Sequence, residues 1–537
     1  MYPLLQINNL QIDFDTVNAV RDITFTVNRK EITGIAGESG SGKSVTSLAI
    51  LKLLSSPPAK YMRGEILFSP DGVNQFNLLT IEEKALQAIR GKQIAMIFQE
   101  PMTSLNPVFT CGEQVTEAIL QHENISKSLA IKKTIGLFRK VNLTDPETII
   151  GRYPHELSGG QKQRVMIAMA MSAGPALLIC DEPTTALDVT VQKSILELIK
   201  ELQSETGMGV IFITHDLGVL SEIAGKVIIM NKGMIIETGS LKEVFLTPAH
   251  EYTKRLLASR PAIFPKTIHD RILVKVENLS VWFTARKTFL GRPVSFTKAV
   301  DNVSFEIFKG ETLGLVGESG CGKTTLGRTL LRLIEPDAGK IYYEGKDLMS
   351  FSAGELRKFR KNIQIIFQDP YSSLNPSLTI GSCIEEPLKV HFPGLTAAQR
   401  KQKTVALLEK VSLEAGHYHR YPHEFSGGQR QRIVIARALA LEPAFIVCDE
   451  SVSALDLTVR AQVLNLLSSL KHEFGFTSIF ISHDLSVIRS VCDRVIVMNK
   501  GRIEESGLVE DVYLTPKSAC TKKLLGAIPQ NLLPSPA

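Results

Sequence analysis

The run Leu157-Ser158-Gly159-Gly160-Gln161, followed by an apolar stretch ending in Asp181-Glu182, returns as Phe425-Ser426-Gly427-Gly428-Gln429 and Asp449-Glu450. The offset is 268 residues in both comparisons (426 − 158 and 449 − 181). A device repeated whole at one spacing marks a duplicated domain. A chain of 537 residues is also too long for a single hydrophobic core. The sequence therefore predicts two tandem domains, residues 1–258 and 272–537, joined by a short linker at 259–271 that carries Pro261 and Pro265.

Composition narrows the function classes. A net charge of +6 over this length fits scattered Lys and Arg on solvated faces, not the clustered stripe that binds nucleic acid. The seven cysteines are dispersed and none forms a CxxC pair, which argues against a zinc site or a disulfide framework. Cys180 and Cys448 end apolar runs and are expected as small core residues of a protein in a reducing compartment. The opening MYPLLQINNLQIDF has no basic start and no long apolar stretch, so it does not read as a signal peptide. No run of 18 or more apolar residues exists, so work at a membrane would go through partners.

The chemistry begins after the short apolar strand Glu31 to Ala36, at Gly37-Glu38-Ser39-Gly40-Ser41-Gly42-Lys43-Ser44. Its second copy is Gly317-Glu318-Ser319-Gly320-Cys321-Gly322-Lys323-Thr324. Both are GxxxxGK[ST] phosphate loops with a helix-like run behind them. Glycines let backbone N–H groups turn inward as an anion nest, and the helix start, with Val45 or Thr325, adds its dipole. Lys43 and Lys323 are the groups that reach the β and γ phosphates; Ser44 and Thr324 are the hydroxyls for Mg²⁺.

Downstream, Gln99 and Gln368 each follow a buried-strand pattern and precede turn-rich segments, Glu100 to Pro107 and Asp369 to Pro376. They are candidates for sensing the γ-phosphate, the attacking water or the metal. Residues 108–155 and 377–423 read as helical subdomains that present the two Ser-Gly-Gly-Gln runs. That turn is expected to begin a helix at Gln161 and offer N–H donors to a phosphate, with Ser158 and Ser426 as helix caps. Ala176 to Cys180 reads as a parallel strand buried on both faces, ending at Asp181-Glu182. Asp181 and Asp449 suit outer-sphere contact with Mg²⁺, and Glu182 and Glu450 suit polarising a water in line with the γ-phosphate. Ala186-Leu187-Asp188 and Ala454-Leu455-Asp456 follow in step, and His215 and His483 close later strands as γ-phosphate contacts. Phe14 and Phe283 hold matching places and are candidate adenine-stacking rings. The halves also share a tail, Thr247 to Leu257 and Thr515 to Leu525, and differ by loop insertions near Arg286 to Thr297 and Pro70 to Asn74.

These motifs, in this order and twice over nearly the whole chain, resemble the ATP-binding cassette (ABC) ATPases. FQEPMTSLNP and FQDPYSSLNP, YPHELSGGQ and YPHEFSGGQ, the short linker and the TPAHEYTKRLL tail are similar to the double-ATPase subunits of bacterial peptide and glutathione importers. The resemblance implies an α/β fold of two nucleotide-binding domains, each with a mainly parallel sheet core, an antiparallel β part and a helical subdomain. It implies an intramolecular head-to-tail ATPase dimer with ATP and Mg²⁺. ATP on Gly37 to Ser44 would be covered by Ser426-Gly427-Gly428-Gln429, and ATP on Gly317 to Thr324 by Ser158-Gly159-Gly160-Gln161. Partners would be two transmembrane permease subunits and an extracytoplasmic solute-binding protein, with no nucleic acid. The location would be peripheral, on the cytoplasmic side of the inner membrane.

Ser451 replaces Pro183 after the second Asp-Glu pair, but both glutamates are present, so two active sites are expected. Some peptide-importer ATPases carry a cysteine cluster in the tail; Cys520 stands alone here, and no iron–sulfur centre is expected. The alternative is a soluble tandem ATPase acting on ribosomes or nucleic acid. Such proteins tend to carry a long charged linker or zinc-binding cysteines, and this chain has neither. The intact Glu182, His215, Glu450 and His483 argue against a scaffold that does not hydrolyse.

Overall fold

The structure is a computed structural model, and it describes residues 2–15, 17–99, 104–185, 187–258, 270–287, 293–453 and 455–528. Most of the expected linker, the segment 100–103, Ala186 and Ala454 lie outside the described residues. The described residues divide into two compact units, one of 2–187 and 191–258, the other of 188–190 and 270–528.

In the first unit the strands are β1 (Leu5–Phe14), β2 (Val17–Val27), β3 (Ile32–Ala36), β4 (Ala59–Phe68), β5 (Phe76–Asn77), β6 (Ile94–Ile97), β7 (Leu177–Asp181), β8 (Gly209–Ile213), β9 (Lys226–Asn231) and β10 (Met234–Ser240). They form two sheets. One is antiparallel, in the order β2-β1-β4-β5; the other runs β10-β9-β3-β8-β7-β6. Within the second sheet every pairing from β9 to β6 is parallel and only β10 is antiparallel. Strands β3, β7 and β8 are buried at every residue, as their unbroken apolar runs require. Because β3, β8, β7 and β6 run the same way, Gly37, Thr214, Glu182 and Phe98 leave the sheet at one edge. In such sheets that carboxyl edge is where ligands bind.

The second unit repeats the plan. Its strands are β11 (Ile272–Lys287), β12 (Pro293–Phe308), β13 (Thr312–Gly317), β14 (Ala338–Tyr343), β15 (Lys346–Asp347), β16 (Ile363–Ile366), β17 (Phe445–Asp449), β18 (Thr477–Ile481), β19 (Arg494–Asn499) and β20 (Arg502–Leu508). The antiparallel sheet is β12-β11-β14-β15 and the mainly parallel one β16-β17-β18-β13-β19-β20. The insertion near Arg286 to Thr297, expected as a loop, is strand at its described residues on either side of 288–292: Arg286 pairs with Ser295 and Lys287 with Pro293. The alternating Val294-Ser295-Phe296-Thr297-Lys298 has the period of two that extends a hairpin.

The helical subdomains appear where the spacing of apolar residues placed them. Helices Cys111–His122 and Lys127–Lys140 start at Thr110 and Ser126, whose hydroxyls cap the first turn. Buried Thr116 and Thr134 share a hydrogen bond of 2.9 Å between them. In the second unit, helices Ile380–His391 and Ala397–Lys410 take their place. There the buried Glu385 accepts a hydrogen bond from Tyr418 and lies 3.4 Å from Lys389. No helix among the described residues is long and apolar enough to cross a membrane.

The central strand β8 is the most sensitive place to test this packing. Ile211 is fully buried in the core that joins the two sheets of the first unit. Ile211→Ala is expected to cost about 2–5 kcal/mol, read as a lowered midpoint in denaturant unfolding; a change under about 1 kcal/mol would contradict the assigned core.

Candidate nucleotide site

The phosphate loop follows directly from β3, and the helix Lys43–Ile50 follows from the loop. Gly42 caps that helix with φ of 97°, a left-handed conformation costly for any side chain, and a Cβ there would lie 2.6 Å from the carbonyl oxygen of Ala19. Lys43 is buried, and its ammonium donates to the carbonyls of Gly37 at 2.8 Å and Glu38 at 2.9 Å and to Ser41 Oγ at 3.3 Å. Those oxygens hold the charge over the loop in lieu of water. In the second unit Lys323 repeats the first two contacts, to Gly317 at 2.8 Å and Glu318 at 3.0 Å. Its third neighbour is Cys321 Sγ at 3.9 Å, a much weaker acceptor.

The two acids divide sharply although they are adjacent. Asp181 is the last residue of β7, and its carboxylate accepts from Ser44 Oγ at 3.1 Å and Ser47 Oγ at 3.4 Å. Burial raises its carboxyl to about 6, against the pull of the Ser44 hydrogen bond, and the neighbouring Glu182 charge adds to the rise. Glu182 has φ of 47°, a left-handed turn that swings its side chain away from the direction β7 sets. Its Oε2 accepts from Gln99 Nε2 at 3.2 Å and Thr185 Oγ1 at 2.9 Å, and lies 3.1 Å from His215 Nδ1. Burial would lift the Glu182 carboxyl, but the His215 hydrogen bond and charge, Thr185 and Lys43 outweigh it and hold it below the usual carboxylate range.

The second unit makes the same division. Thr324 Oγ1 donates to Asp449 Oδ1 at 2.9 Å, and burial raises that carboxyl. Glu450 has the same φ of 47°, with Gln368 Nε2 at 3.0 Å and His483 Nδ1 at 3.3 Å from its Oε2. Burial works against the charged Glu450, and the His483 contact overcomes it. The two histidines leave β8 and β18 next to Asp216 and Asp484, each of which caps the following helix and so fixes the loop.

Gln99, Asp181, Glu182 and His215 thus converge with Ser44 and Lys43, and their counterparts do so in the second unit. Within their own unit Ser158 and Gln161 stand apart from this constellation, and their hydrogen bonds are reciprocal: Gln161 N donates to Ser158 Oγ at 3.3 Å and Ser158 N to Gln161 Oε1 at 3.0 Å. Ser426 and Gln429 repeat this at 3.4 and 3.0 Å. These capping boxes start the helices at Gly159 and Gly427, two residues earlier than the expected start at Gln161. Gly428 is required by packing, since a Cβ there would lie 2.3 Å from Val459 Cγ1. Phe14 is half-buried against the first core and Phe283 is exposed.

Sequence reading missed Ser47 and Thr185, which complete the hydrogen bonding of the two acids, and Arg328, whose Nε lies 3.9 Å from Asp449. Ser47 sits one helical turn after Ser44, the spacing that puts both hydroxyls on one face. That signal was available.

A family model described as ABC transporter matches residues 20–185 and again 300–453. The chain belongs to the ABC transporter ATPases. Two relatives illustrate how far the likeness reaches. The glutathione import ATP-binding protein GsiA of Escherichia coli strain K12 is 47% identical, over 98% of this chain and 89% of that one. GsiA of Pectobacterium atrosepticum is 45% identical over the same shares. Among solved structures, the bacterial ABC transporter cassette MJ0796 in its dimeric form aligns with 44% of this chain and 99% of its own, at 29% identity and a TM-score of 0.40. As an ABC ATPase the chain binds and hydrolyses ATP, and it carries two such domains.

Asp181 gives a pH test. A buried carboxyl raised from 3.8 to about 6 takes a proton more readily in the fold than in the unfolded chain, so its ionised form destabilises the fold above about pH 6. Asp181→Asn is expected to stabilise the nucleotide-free protein at pH 8 by on the order of 3 kcal/mol. The gain should shrink from pH 6 downward and vanish near pH 4. Thermal scans across that range check it, and a pH-independent difference would contradict the assignment.

Proposed function

We propose that the chain is the ATP-hydrolysing, energy-coupling subunit of an ABC importer for glutathione or peptides. The observation that carries the catalytic part is the duplicated constellation of a phosphate-loop lysine, a hydroxyl–aspartate pair and a glutamate held by both a glutamine and a histidine. The import part rests on the likeness to GsiA. No observation favours action on ribosomes or nucleic acid.

In this reading the ammoniums of Lys43 and Lys323 reach the β and γ phosphates while the carbonyls of Gly37 and Gly317 keep them seated over the loop. Glu182 and Glu450, kept ionised at neutral pH by their histidine neighbours, orient and polarise the attacking water. Gln99 and Gln368 report the γ-phosphate to the segments behind them, and His215 and His483 hold the glutamate and phosphate in register. The residues fit Mg²⁺: Ser44 with Asp181, and Thr324 with Asp449, each set a hydroxyl beside a carboxylate, oxygen donors of the kind the ion takes together with phosphate and water. Bound there with Gln99 or Gln368, Mg²⁺ would neutralise charge on the β and γ oxygens. Phe14 and Phe283 would stack on adenine.

The two domains would close head to tail, so that Ser426 to Gln429 cover ATP on the first loop and Ser158 to Gln161 cover ATP on the second. The helix starts at Gly159 and Gly427 give each covering segment N–H donors for a phosphate. Closing and opening would drive two transmembrane permease subunits, supplied by an extracytoplasmic solute-binding protein, from a peripheral position on the cytoplasmic side of the inner membrane. Domain limits of 1–258 and 272–537 complete this reading.

Two tests separate its parts. The combined Glu182→Gln and Glu450→Gln variant should lose at least 100-fold in phosphate release while retaining bound ATP; turnover near the parent rate would sink the assigned roles. Affinity capture of the tagged chain from detergent-solubilised native membranes, followed by mass spectrometry, should recover two multi-span permeases. Recovery of ribosomal proteins without a permease would overturn the import reading and leave the ATPase intact.

A further inference from the structure

Both halves end in a short helix that supplies no catalytic group, and both fasten it in the same way. For helix Glu251–Ala258, Glu237 of β10 accepts from the backbone N–H of Ala249 at 2.8 Å and of His250 at 3.2 Å. For helix Ala519–Gly526, Glu505 of β20 accepts from Lys517 N at 2.9 Å and Ser518 N at 3.0 Å. The two anchors stand 268 residues apart (505 − 237), in step with the catalytic residues.

Each fastened helix reaches the second residue of its own phosphate loop. The buried Tyr252 hydroxyl accepts from Glu38 N at 3.4 Å. Cys520 stands at the equivalent place and has no hydroxyl. There Lys523, one turn later on the helix, pairs with the Glu318 carboxylate at 2.7 Å. Two different chemistries converge on the same loop position.

Glu38 N and Gly37 O belong to one peptide unit. Lys43 donates to that oxygen at 2.8 Å, so the plane is held at its carbonyl by Lys43 and at its N–H by Tyr252. Rotation of this peptide would displace the carbonyl that seats the Lys43 ammonium, the group that reaches the phosphates. On the other side the loop is pressed against β9, where a Cβ on Gly37 would lie 2.1 Å from Met230 O. We propose that each terminal helix braces its phosphate loop, with Tyr252 as a positioning residue for Lys43 and Lys523 as a looser tether at the second loop. The proposal rests on the reading of both loops as ATP sites. It makes the two sites unequal: the first depends on a buried hydroxyl aimed at the backbone, the second on an exposed ion pair that salt screens.

The test uses the full chain with one loop disabled at a time and trinitrophenyl-ATP as the probe. With Lys323→Ala silencing the second loop, Tyr252→Phe should raise Kd roughly three- to tenfold, the range for loss of one hydrogen bond. The KM for ATP should rise likewise, with kcat changed less than twofold and the melting temperature unchanged. With Lys43→Ala silencing the first loop, Tyr252→Phe should leave Kd unchanged. There Lys523→Met should raise it about twofold at low salt, and Lys523→Arg should restore it. An unaltered Kd at the first loop would overturn the brace, as would equal weakening at both loops or a fall in melting temperature alone. A parent chain that binds no probe at either loop would overturn the ATP reading and the brace with it.

Discussion

Asp181 and Glu182 are neighbours on one chain and leave one buried strand, yet the first faces the serine hydroxyls of the phosphate-loop helix and the second faces a glutamine and a histidine. The left-handed backbone at Glu182 makes this possible, because an extended continuation would send the side chain to the other face of the sheet. Such a residue costs on the order of 1–3 kcal/mol, and the hydrogen bond from Glu182 N to Ile213 O, at 2.9 Å, helps fix it. The fold sets the two carboxyls on opposite courses. Asp181 is driven toward the neutral form by burial, and Glu182 is kept charged, the state that its proposed part in polarising water requires. Glu450 and Asp449 repeat the division with the same backbone angle, so the turn is part of the site's construction.

The halves are duplicates but not copies. Glu182 has a third partner in Thr185, whereas Ser453 at the equivalent place bonds the backbone oxygen of Glu450 at 2.9 Å and leaves the carboxylate to Gln368 and His483. Lys43 has a serine hydroxyl beside it where Lys323 has a thiol. The helical subdomains differ as well, with a neutral Thr116–Thr134 pair in one and the charged Glu385 cluster in the other. The first two differences loosen the surroundings of Glu450 and Lys323, and the third lies in the subdomain helices.

Much of this was legible in the residues themselves. The offset of 268 announced two units, and unbroken apolar runs announced strands β3, β7 and β8. The strand–loop–helix context carried the phosphate loops. What stayed hidden was set by backbone geometry and by contacts between distant residues. The left-handed turn at a glutamate has no signature in residue type. The helix start at Gly159 followed from a reciprocal Ser158–Gln161 cap, which the pattern Ser-x-x-Gln did contain, but the glycines masked it as a turn. The length difference between the halves points to a loop near Arg286 to Thr297; the strand pairing on either side of 288–292 follows from the alternation of Val294 to Lys298. Tyr252 meets Glu38 across more than two hundred residues of sequence, and nothing local to either one points to the other.

The head-to-tail arrangement is the claim on which the mechanism turns, and exchanging the signature serines tests it most directly. In a chain whose second loop is silenced by Lys323→Ala, ATP hydrolysis at the first loop is measured after Ser426→Arg and, separately, after Ser158→Arg. The account predicts that Ser426→Arg abolishes hydrolysis and Ser158→Arg spares it. Loss with Ser158→Arg and activity with Ser426→Arg would place each signature over the loop of its own half and contradict the account.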